Sequence, residues 1–395
     1  MQQPLTLPRA CIVHEWLTDW GGSEDVVRAM AACLPDAPLY ATIDFLSAAD
    51  RARMAVPHIH TTFLQHMPFV RKRFWHYPPW TPLAVEAHDL RAAEVVVSSS
   101  HAFAKGALVR GDQLHVSYVH SPMRYAWDLH HEYLADYKLN RGIKGWLARR
   151  MFQQLRAWDR QTANNVDLFL ANSRHVQQRI WRCYRRPSVV LHPPVRVRDR
   201  SLGLAKSDFY LTVSRLVSYK RVDLIVEAFA SMPGRRLVVI GDGPEMAALR
   251  RNCPPNVQLM GWQPDEVVDR HLREARAFVF AAREDFGISP VEAQACGTPV
   301  IAYGAGGALE TVRDASAAER PTGIFFPSQT PASLSEAVLR FEAMAGRFDP
   351  HDCRDWAMEF DESVFRTRFS ELLGHAWSLW KSGPHDLERT LVPAR

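Results

Sequence analysis

Several motifs that mark common classes of enzyme are missing from this chain of 395 residues. It contains no D-x-D triplet and no H-E-x-x-H motif, and its 17 histidines show no spacing with cysteine or carboxylate that is typical of a metal site. No G-x-G-x-x-G sequence follows a predicted strand, which argues against a nicotinamide dinucleotide site. We therefore expect chemistry that needs neither a bound metal nor a redox cofactor.

Cysteine is scarce, and long apolar runs are missing as well. The six cysteines lie far apart without a C-x-x-C pair, which favours reduced thiols and a cytoplasmic setting. No apolar run approaches the roughly 18 residues that span a bilayer, and no signal peptide is recognisable, so we expect a soluble or peripheral protein. The formal charge of +5 is too small to indicate nucleic acid, but it suits phosphorylated ligands or an anionic membrane surface.

The rest of the sequence indicates two α/β domains, each of ordinary size. Strands alternate with amphipathic helices, a pattern that predicts doubly wound parallel sheets. We expect an N-terminal domain over 1–190, a linker over 191–207, a C-terminal domain over 208–361 and a last helix over 362–385. The predicted strands are Ala10–Trp16, Leu39–Ile43, Val56–Thr61, Glu94–Ser99, His115–Val119, Asp167–Ala171, Phe209–Ser214, Arg236–Ile240, Asn256–Met260, Arg276–Ala281, Pro299–Ala302 and Gly323–Phe326.

Two carboxylates stand eight positions apart in the stretch EDFGISPVEAQACGTPVIAYGAGGALE, at Glu284 and Glu292. Pro290 suits the first turn of a helix, so we expect the helix to begin near Ser289 with Glu292 in its first turn. Because the apolar run 277–282 precedes them, the carboxylates should lie at the carboxyl end of a strand, where open α/β sheets bind ligands. Helix N–H groups favour a diphosphate and carboxylates accept from hydroxyls, which suggests a sugar nucleotide; an ordinary loop remains the alternative.

Polar residues also follow predicted strands in the first half of the chain. Gly21 and Gly22 join the first strand to a helix, where they would allow a ligand close to the backbone or form a plain tight turn. His120 ends the fifth strand in the sequence YVHSPMRYAWD, where a binding site is expected. The residues 98–101 and Lys105 lie at the end of the preceding strand and could line the acceptor side or cap a loop.

The second half repeats this arrangement. Arg215 and Lys220 follow its first strand in SRLVSYKRVD, either as members of a site or as ordinary surface residues. Gly243 lies in the turn GDGPE and Trp262 follows the third strand, and both could lie near a nucleotide base or simply form turns.

The most cationic part of the chain includes Arg71–Trp75, Trp80 and the stretch 138–160. In that stretch apolar residues recur at helical spacing and arginine and lysine dominate the polar positions. Two interpretations remain open, a helix packed on the core with a solvated basic face, or a helix lying on an anionic membrane. The apolar positions are Ile143, Trp146, Leu147, Met151, Leu155 and Trp158.

Three of these motifs resemble those of glycosyltransferase family 4, whose members are retaining enzymes of the GT-B fold. The first is E-x7-E with F-G-I-S-P inside it and A-x-A-C-G-T-P-V-I-A after it. The second is R-L-x-x-x-K, and the third is Y-x-H-x-P-M-R-Y-x-W-D, which is similar to the branch of O-antigen and exopolysaccharide mannosyltransferases. The resemblance implies two Rossmann-like doubly wound parallel-sheet domains that face each other across a cleft, and a last helix that returns to the first domain.

The same resemblance assigns roles to these residues. It implies that Glu284 holds the donor sugar hydroxyls and Glu292 the ribose. The backbone near Phe286, Gly287 and Ile288 would hold sugar and phosphate. His120 would contact the donor sugar near the reacting carbon, Arg215 and Lys220 would offset the diphosphate charge, and the loop of Gly21 and Gly22 would face the donor diphosphate and the acceptor.

The expected function is transfer of a hexosyl unit with retention of configuration and without metal. The expected donor is GDP-mannose, and the expected acceptor is a glycan or a polyprenyl-diphosphate-linked oligosaccharide in cell-surface polysaccharide biosynthesis. The protein would be cytoplasmic or peripheral on the cytoplasmic face of the inner membrane, with no nucleic acid partner. Three alternatives stay open, namely a transferase that uses a UDP-sugar, a sugar-nucleotide 2-epimerase of the same fold, and a non-catalytic member of an assembly complex.

Overall fold

Two parallel sheets organise the chain into two units. The computed structural model describes residues 8–74, 77, 79–128, 130–136, 139, 141–383 and 387–391. Trp75, Lys138, the start of the predicted N-terminal domain and the end of the predicted last helix therefore lie outside the described residues. Unit 1 comprises residues 1–192 and 365–395, and unit 2 comprises residues 193–364.

The first sheet has seven strands in the order β3-β2-β1-β4-β5-β6-β7, and all of its pairs are parallel. This arrangement confirms the predicted parallel sheet. The last strand is absent from the predicted set, but Val189 pairs with Leu170 at the sheet edge. The strands are β1 Ala10–His14, β2 Leu39–Tyr40, β3 Ile59–His60, β4 Val95–Ser100, β5 Leu114–Val119, β6 Leu168–Ala171 and β7 Val189–Val190.

The second sheet has six parallel strands in the order β10-β9-β8-β11-β12-β13. Chain order reverses beside β8, so β8 and β11 flank the switch point at which open α/β sheets bind ligands. The strands are β8 Tyr210–Val213, β9 Leu237–Ile240, β10 Val257–Gly261, β11 Ala277–Phe280, β12 Val300–Tyr303 and β13 Gly323–Phe326.

Helices connect these strands as the alternation predicts. The helices of unit 1 are α1 Gly22–Cys33, α2 Ala48–Met54, α3 Val70–Arg73, α4 Thr81–Glu86, α5 His130–Asp136, α6 Gly142–Thr162 and α7 Arg174–Tyr184. Unit 2 contains α8 Val222–Ala230, α9 Met246–Arg251, α10 Asp265–Glu274, α11 Ile288–Ala295, α12 Ala308–Thr311, α13 Pro331–Ala343 and α14 Pro350–Met358. The chain ends with α15 Glu362–Ser382 and α16 Leu387–Leu391.

The segment 193–207, which the sequence presented as most of a linker, packs on unit 2 instead. The N–H of Val195 donates to the carbonyl of Phe360 at 2.9 Å, and the N–H of Gly203 donates to the carbonyl of Cys296 at 3.0 Å. A proline pair suggested a stiff connection, but main-chain hydrogen bonds and the buried side chains of Val195 and Val197 attach the segment to its own unit.

The last long helix contributes to the core of unit 1. The chain returns to unit 1 at Phe365, a residue that lies within α15. The buried side chains Phe365, Phe369 and Leu373 pack among the residues of α1 and the first sheet, and Tyr118 of β5 meets the ring of Phe365 edge-on. The core of unit 1 is therefore closed by residues that are distant in sequence.

Helix α6 divides the apolar pattern of the cationic stretch into two parts. Phe152 and Leu155 are buried in a core cluster of unit 1. At the other end of the helix, Ile143, Trp146 and Leu147 are 80%, 63% and 54% exposed. Regular spacing alone assigned all six apolar positions to one face, whereas burial begins only where the helix meets the rest of unit 1.

A buried ion pair attaches α6 to that core. Lys105 Nζ lies 2.6 Å from Asp159 Oδ1, and both side chains are almost fully buried. Trp127 and Tyr184 also donate to the Asp159 carboxylate, at 2.7 Å and 3.0 Å. Lys105 therefore serves the packing of α6, and its proposed place beside an acceptor was wrong.

We predict that Asp159→Asn destabilises unit 1 by about 3 kcal/mol, because it leaves the buried Lys105 charge without the carboxylate that neutralises it. The effect should appear in urea denaturation followed by tryptophan fluorescence. Asp112→Asn is a matched control, since it removes an exposed carboxylate paired with Arg110 and should change stability by less than about 0.5 kcal/mol. Equal effects of the two substitutions would contradict the prediction.

Candidate active site

The carboxylate loop of unit 2 follows β11 and leads into α11. Glu284 forms an ion pair with Lys220, which ends a short 3-10 helix after β8. The two side chains come from the strands that flank the switch point, although 64 residues separate them in sequence. The predicted carboxylate and one predicted cation therefore lie in direct contact.

Gly306 and Gly307, which follow β12, approach the main chain of this loop closely and keep it in place. The N–H of Gly307 donates to the carbonyl of Glu284 at 2.9 Å. A Cβ on Gly307 would lie 2.3 Å from the Phe286 carbonyl oxygen, so a larger residue would displace the loop. The main chain beside Glu284 is therefore fixed by contact with a second loop.

The start of α11 differs from the expected one. The helix begins at Ile288, and Gly287 caps it with a φ of +89°, a conformation that favours glycine. Glu292 is consequently the fifth helical residue and lies in the second turn, because Pro290 occupies the third helical position rather than the first or second. The side chain of Phe286 is buried against Phe360, which leaves only its main chain for a ligand.

Glu292 pairs with Arg200, and the same guanidinium also contacts Asp269 on α10. Burial opposes the charge of Arg200, but Glu292 and Asp269 outweigh it and raise the pKa of the guanidinium. The sequence analysis missed Arg200 and Asp269. Arg200 lies in the presumed linker, and no motif connects it with α10, so only the fold could reveal the pair.

Arg215 is exposed and follows β8 in a loop whose main chain touches the glycine turn after β9. The N–H of Leu216 donates to the carbonyl of Asp242 at 2.9 Å. A Cβ on Gly243 would lie 2.4 Å from the Leu216 carbonyl oxygen, so this glycine permits the contact. Trp262, which follows β10, is 74% exposed, and its indole is accessible for stacking.

The polar residues of unit 1 meet at the carboxyl ends of β1, β4 and β5. Ser99 Oγ lies 2.8 Å from His120 Nε2, and His14 Nδ1 lies 3.2 Å from the same oxygen. His14 Nε2 lies 3.3 Å from Glu24 on α1. Gly21 caps α1, and a Cβ there would lie 3.2 Å from Glu24 Oε2. The predicted residues His120, Gly21 and Ser99 therefore share one edge of the sheet, together with His14 and Glu24, which the sequence analysis missed.

Beside this group, the carboxylate of Glu15 occupies a ring of main-chain donors. It accepts from the N–H groups of residues 101–104 at 2.8–3.0 Å and is fully buried. Burial opposes its ionisation, yet the charge of His101 and the N–H donors lower the pKa of Glu15 below its ordinary value. Glu15 thus fixes the loop after β4, which begins at His101 directly beyond the end of the strand that carries Ser99.

A cluster of metal ligands and a membrane-spanning helix are both absent from the residues that the structure describes. Within these ranges no three side chains of histidine, cysteine, aspartate or glutamate are grouped as metal ligands. Among the described helices, none combines the length and apolar character required to traverse a bilayer.

This chain is similar to known proteins both in sequence and in fold. Residues 195–352 match the family model described as glycosyl transferases group 1. A GDP-mannose-dependent monoacylated alpha-(1-6)-phosphatidylinositol monomannoside mannosyltransferase of Corynebacterium glutamicum is 32% identical over 42% of this chain and 49% of its own length. A GDP-mannose-dependent alpha-(1-6)-phosphatidylinositol monomannoside mannosyltransferase of Mycolicibacterium smegmatis is 28% identical over 39% and 49%. The chain thus spans about half the length of these curated relatives.

The fold as a whole is similar to that of Anabaena HepE, whose crystal structure was determined in complex with UDP and glucose. The TM-score is 0.68 at 17% identity, and the similarity covers 93% of this chain and 99% of HepE. It extends over both parallel-sheet units. Residues 195–352 therefore match the glycosyl transferases group 1 family model, and the chain has the GT-B fold that its resemblance to glycosyltransferase family 4 predicts.

Proposed function

We propose that this protein is a retaining glycosyltransferase that moves a mannosyl unit from GDP-mannose to a glycan or a lipid-linked oligosaccharide of the cell surface. The observation that carries the proposal is the contact between Lys220 and Glu284 at the switch point of the second sheet. A cation beside a carboxylate offers a partner for a diphosphate and an acceptor for sugar hydroxyls within a few ångströms.

Each group in unit 2 has a distinct part in this proposal. Lys220 would exchange its contact with Glu284 for the donor diphosphate, leaving the carboxylate to accept hydrogen bonds from the sugar hydroxyls. Arg215 adds a second positive charge, and the N–H groups at the start of α11 add the positive end of a helix. Arg200 and Asp269 hold the Glu292 carboxylate in one orientation, ready for the ribose hydroxyls.

The proposed reaction is a front-side displacement. A bond forms between the acceptor oxygen and the anomeric carbon while the bond from that carbon to the diphosphate oxygen breaks. The acceptor proton passes to the departing phosphate oxygen, so no protein base is required. Lys220, Arg215 and the start of α11 stabilise the negative charge that grows on the diphosphate, and we propose that transfer requires no metal ion.

The choice of GDP-mannose is supported by the names of the two mannosyltransferase relatives. The UDP in the HepE crystal structure favours a UDP-sugar as the second candidate donor. Incubation with donor alone separates the remaining alternatives, because a transferase hydrolyses the donor slowly, a 2-epimerase forms the epimer and a non-catalytic member of an assembly does neither.

We further propose that the N-terminal turns of α6 rest on an anionic membrane, where a lipid-linked acceptor would be found. Ile143, Trp146 and Leu147 are exposed there, and Lys144 and Arg150 are exposed on the same two turns. Apolar side chains that enter the lipid boundary beside cations that contact the headgroups are typical of a helix that binds a membrane surface.

The first prediction concerns the donor. GDP and GDP-mannose should raise the melting temperature by about 3 °C more than UDP and UDP-glucose at equal concentration, because a ligand that binds only the native state stabilises it by mass action. Thermal denaturation with each of the four ligands provides the measurement. A larger shift with the uridine ligands would replace GDP-mannose by a UDP-sugar as the proposed donor.

The second prediction concerns the two charged groups at the switch point. Lys220→Ala should lower kcat by about 100-fold or more, because the lost charge acts mainly as the diphosphate departs. Glu284→Ala should raise the donor KM as well as lower kcat, because the carboxylate positions the sugar before and during transfer. Activity is measured in excess EDTA, where the wild-type rate should persist.

Arg320→Ala is the control for this experiment, since it removes an exposed cation that pairs with Asp352 and Asp355 in the same unit. Its kcat should equal that of the wild type. Near-normal turnover of folded Lys220→Ala protein, or loss of activity in EDTA with recovery on addition of Mg²⁺, would contradict the proposed mechanism.

The third prediction concerns the membrane. Arg149→Glu with Arg150→Glu should reduce co-sedimentation with phosphatidylglycerol vesicles at least about tenfold, since each basic residue near an anionic surface contributes about 1 kcal/mol. Donor hydrolysis in solution should be unchanged. The matched control is Arg250→Glu with Arg251→Glu on α9, an equal change of charge on exposed residues of unit 2. Equal loss of binding in both double variants would show a non-specific charge effect and refute docking by α6.

A further inference from the structure

A series of hydrogen bonds connects α1 with His120 across three neighbouring strands. It begins at Glu24, whose Oε1 lies 3.3 Å from His14 Nε2. His14 Nδ1 lies 3.2 Å from both the carbonyl oxygen and Oγ of Ser99, and Ser99 Oγ lies 2.8 Å from His120 Nε2. The side chains of His14 and Ser99 are fully buried, and Glu24 is nearly so. Buried polar groups of this kind have defined donors and acceptors.

The surroundings of His14 determine where its protons lie. The carbonyl oxygen of Ser99 can only accept, so the favourable arrangement places a hydrogen on His14 Nδ1. With a hydrogen on Nδ1, His14 Nε2 can meet the Glu24 carboxylate 3.3 Å away through one further proton, and Nδ1 keeps its hydrogen whichever partner holds that proton. Burial disfavours the charge of Glu24, but the hydrogen bond and charge of His14 lower the pKa of this carboxyl group.

The proton of Ser99 follows from that of His14. Because His14 Nδ1–H occupies one side of Ser99 Oγ as a donor, the hydroxyl hydrogen is directed to the other side, toward His120 Nε2. His120 Nε2 then accepts a hydrogen bond, and the single proton of the neutral ring lies on Nδ1. The main chain of His120 is held as well, because its N–H donates to Ser100 and its carbonyl accepts from Asn172 at 2.9 Å.

We propose that Ser99, oriented by the pair of His14 and Glu24, holds His120 as the Nδ1–H tautomer. Ser99, His14 and Glu24 are then positioning residues, and His120 presents an N–H donor at its other edge. The value of this tautomer for catalysis rests on the proposed function, in which His120 donates a hydrogen bond to an oxygen of the donor sugar. A ring that is already in the required tautomer needs no proton rearrangement before it donates to the sugar oxygen.

The same two strands contain a second pair that serves as a control. Ser98 Oγ lies 2.9 Å from His115 Nε2, and His115 Nδ1 lies 3.0 Å from the carbonyl oxygen of Asn165. Both side chains are fully buried. Ser98→Ala therefore removes a serine hydroxyl from the same strand at equal depth, but it removes the partner of a different histidine.

Nuclear magnetic resonance tests the assignment without an activity assay. In full-length protein labelled with 15N in its histidine rings, long-range correlation spectra near neutral pH distinguish a protonated from an unprotonated ring nitrogen. We expect His120 to show a protonated Nδ1 and an unprotonated Nε2, with its signals identified by their loss in His120→Asn. A protonated Nε2 on neutral His120 in the wild type would overturn the inference, whether or not any variant folds.

The variants then test the role of Ser99. Ser99→Ala should move His120 toward the Nε2–H tautomer that neutral histidine favours in water, Ser98→Ala should leave it unchanged, and Ser99→Thr, which keeps a hydroxyl, should restore the wild-type pattern. An unchanged His120 in folded Ser99→Ala would overturn the inference.

Kinetics with the proposed donor separates the inference from the proposed function. Ser99→Ala should lower kcat by about tenfold and change the donor KM by less than about threefold. A changed tautomer with an unchanged kcat would refute the positioning role. The expected tautomers in a wild-type protein that transfers no sugar would support the hydrogen-bond assignment and overturn the proposed function alone.

Discussion

Parallel pairing of the strands is the constraint on which the rest of the structure depends. In a parallel sheet every strand runs in the same direction, so all carboxyl ends lie along one edge and the helices cover both faces. The buried apolar strands fix that direction, and the loops that follow them must then meet. Lys220 after β8 and Glu284 after β11 are brought into contact for this reason, as are His14, Ser99 and His120 in the first sheet.

The charges gathered at these edges are partly neutralised by one another. Glu292 shares Arg200 with Asp269, Glu284 contacts Lys220, and Glu24 contacts His14. A desolvated charge without a partner is costly, so such pairs allow ionised groups to remain near a binding surface. In the proposed function, a diphosphate or a sugar replaces one partner, because the ligand supplies the charge or the hydroxyl groups that the pair gives up.

Periodicity and turn chemistry predicted most of the sheet architecture. Short apolar strands such as 237–240 and 277–280 are clear in the sequence, because burial on both faces demands a continuous apolar run. The ends of elements were harder to predict. Pro290 suggested a helix that begins one residue later than the observed Ile288, since Gly287 supplies a left-handed cap that a proline rule does not consider.

The candidate site was predictable only where a local motif marked it. Glu284 and Lys220 could be identified because each belongs to a motif of adjacent residues. Arg200 could not be, because its partner on α10 is 69 residues away and long-range pairing leaves no periodic signal in one sequence. The two halves of α6 show a second feature that a single sequence does not reveal. Helical spacing reports which residues share a face, but it does not report how far along the helix the neighbouring core extends.

The hydrogen bonds in unit 1 show how a buried, fixed carboxylate can determine the positions of the groups around it. Glu15 accepts only from fixed donors and holds the loop after β4, so it determines where the backbone lies. In the proposed hydrogen-bond arrangement, Glu24 supports a hydrogen on His14 Nδ1, and that hydrogen orients the hydroxyl of Ser99. A carboxylate that positions backbone and one that positions protons therefore serve the same edge of the sheet. Such a division of tasks is possible because both groups are buried, where each donor must be matched to an acceptor.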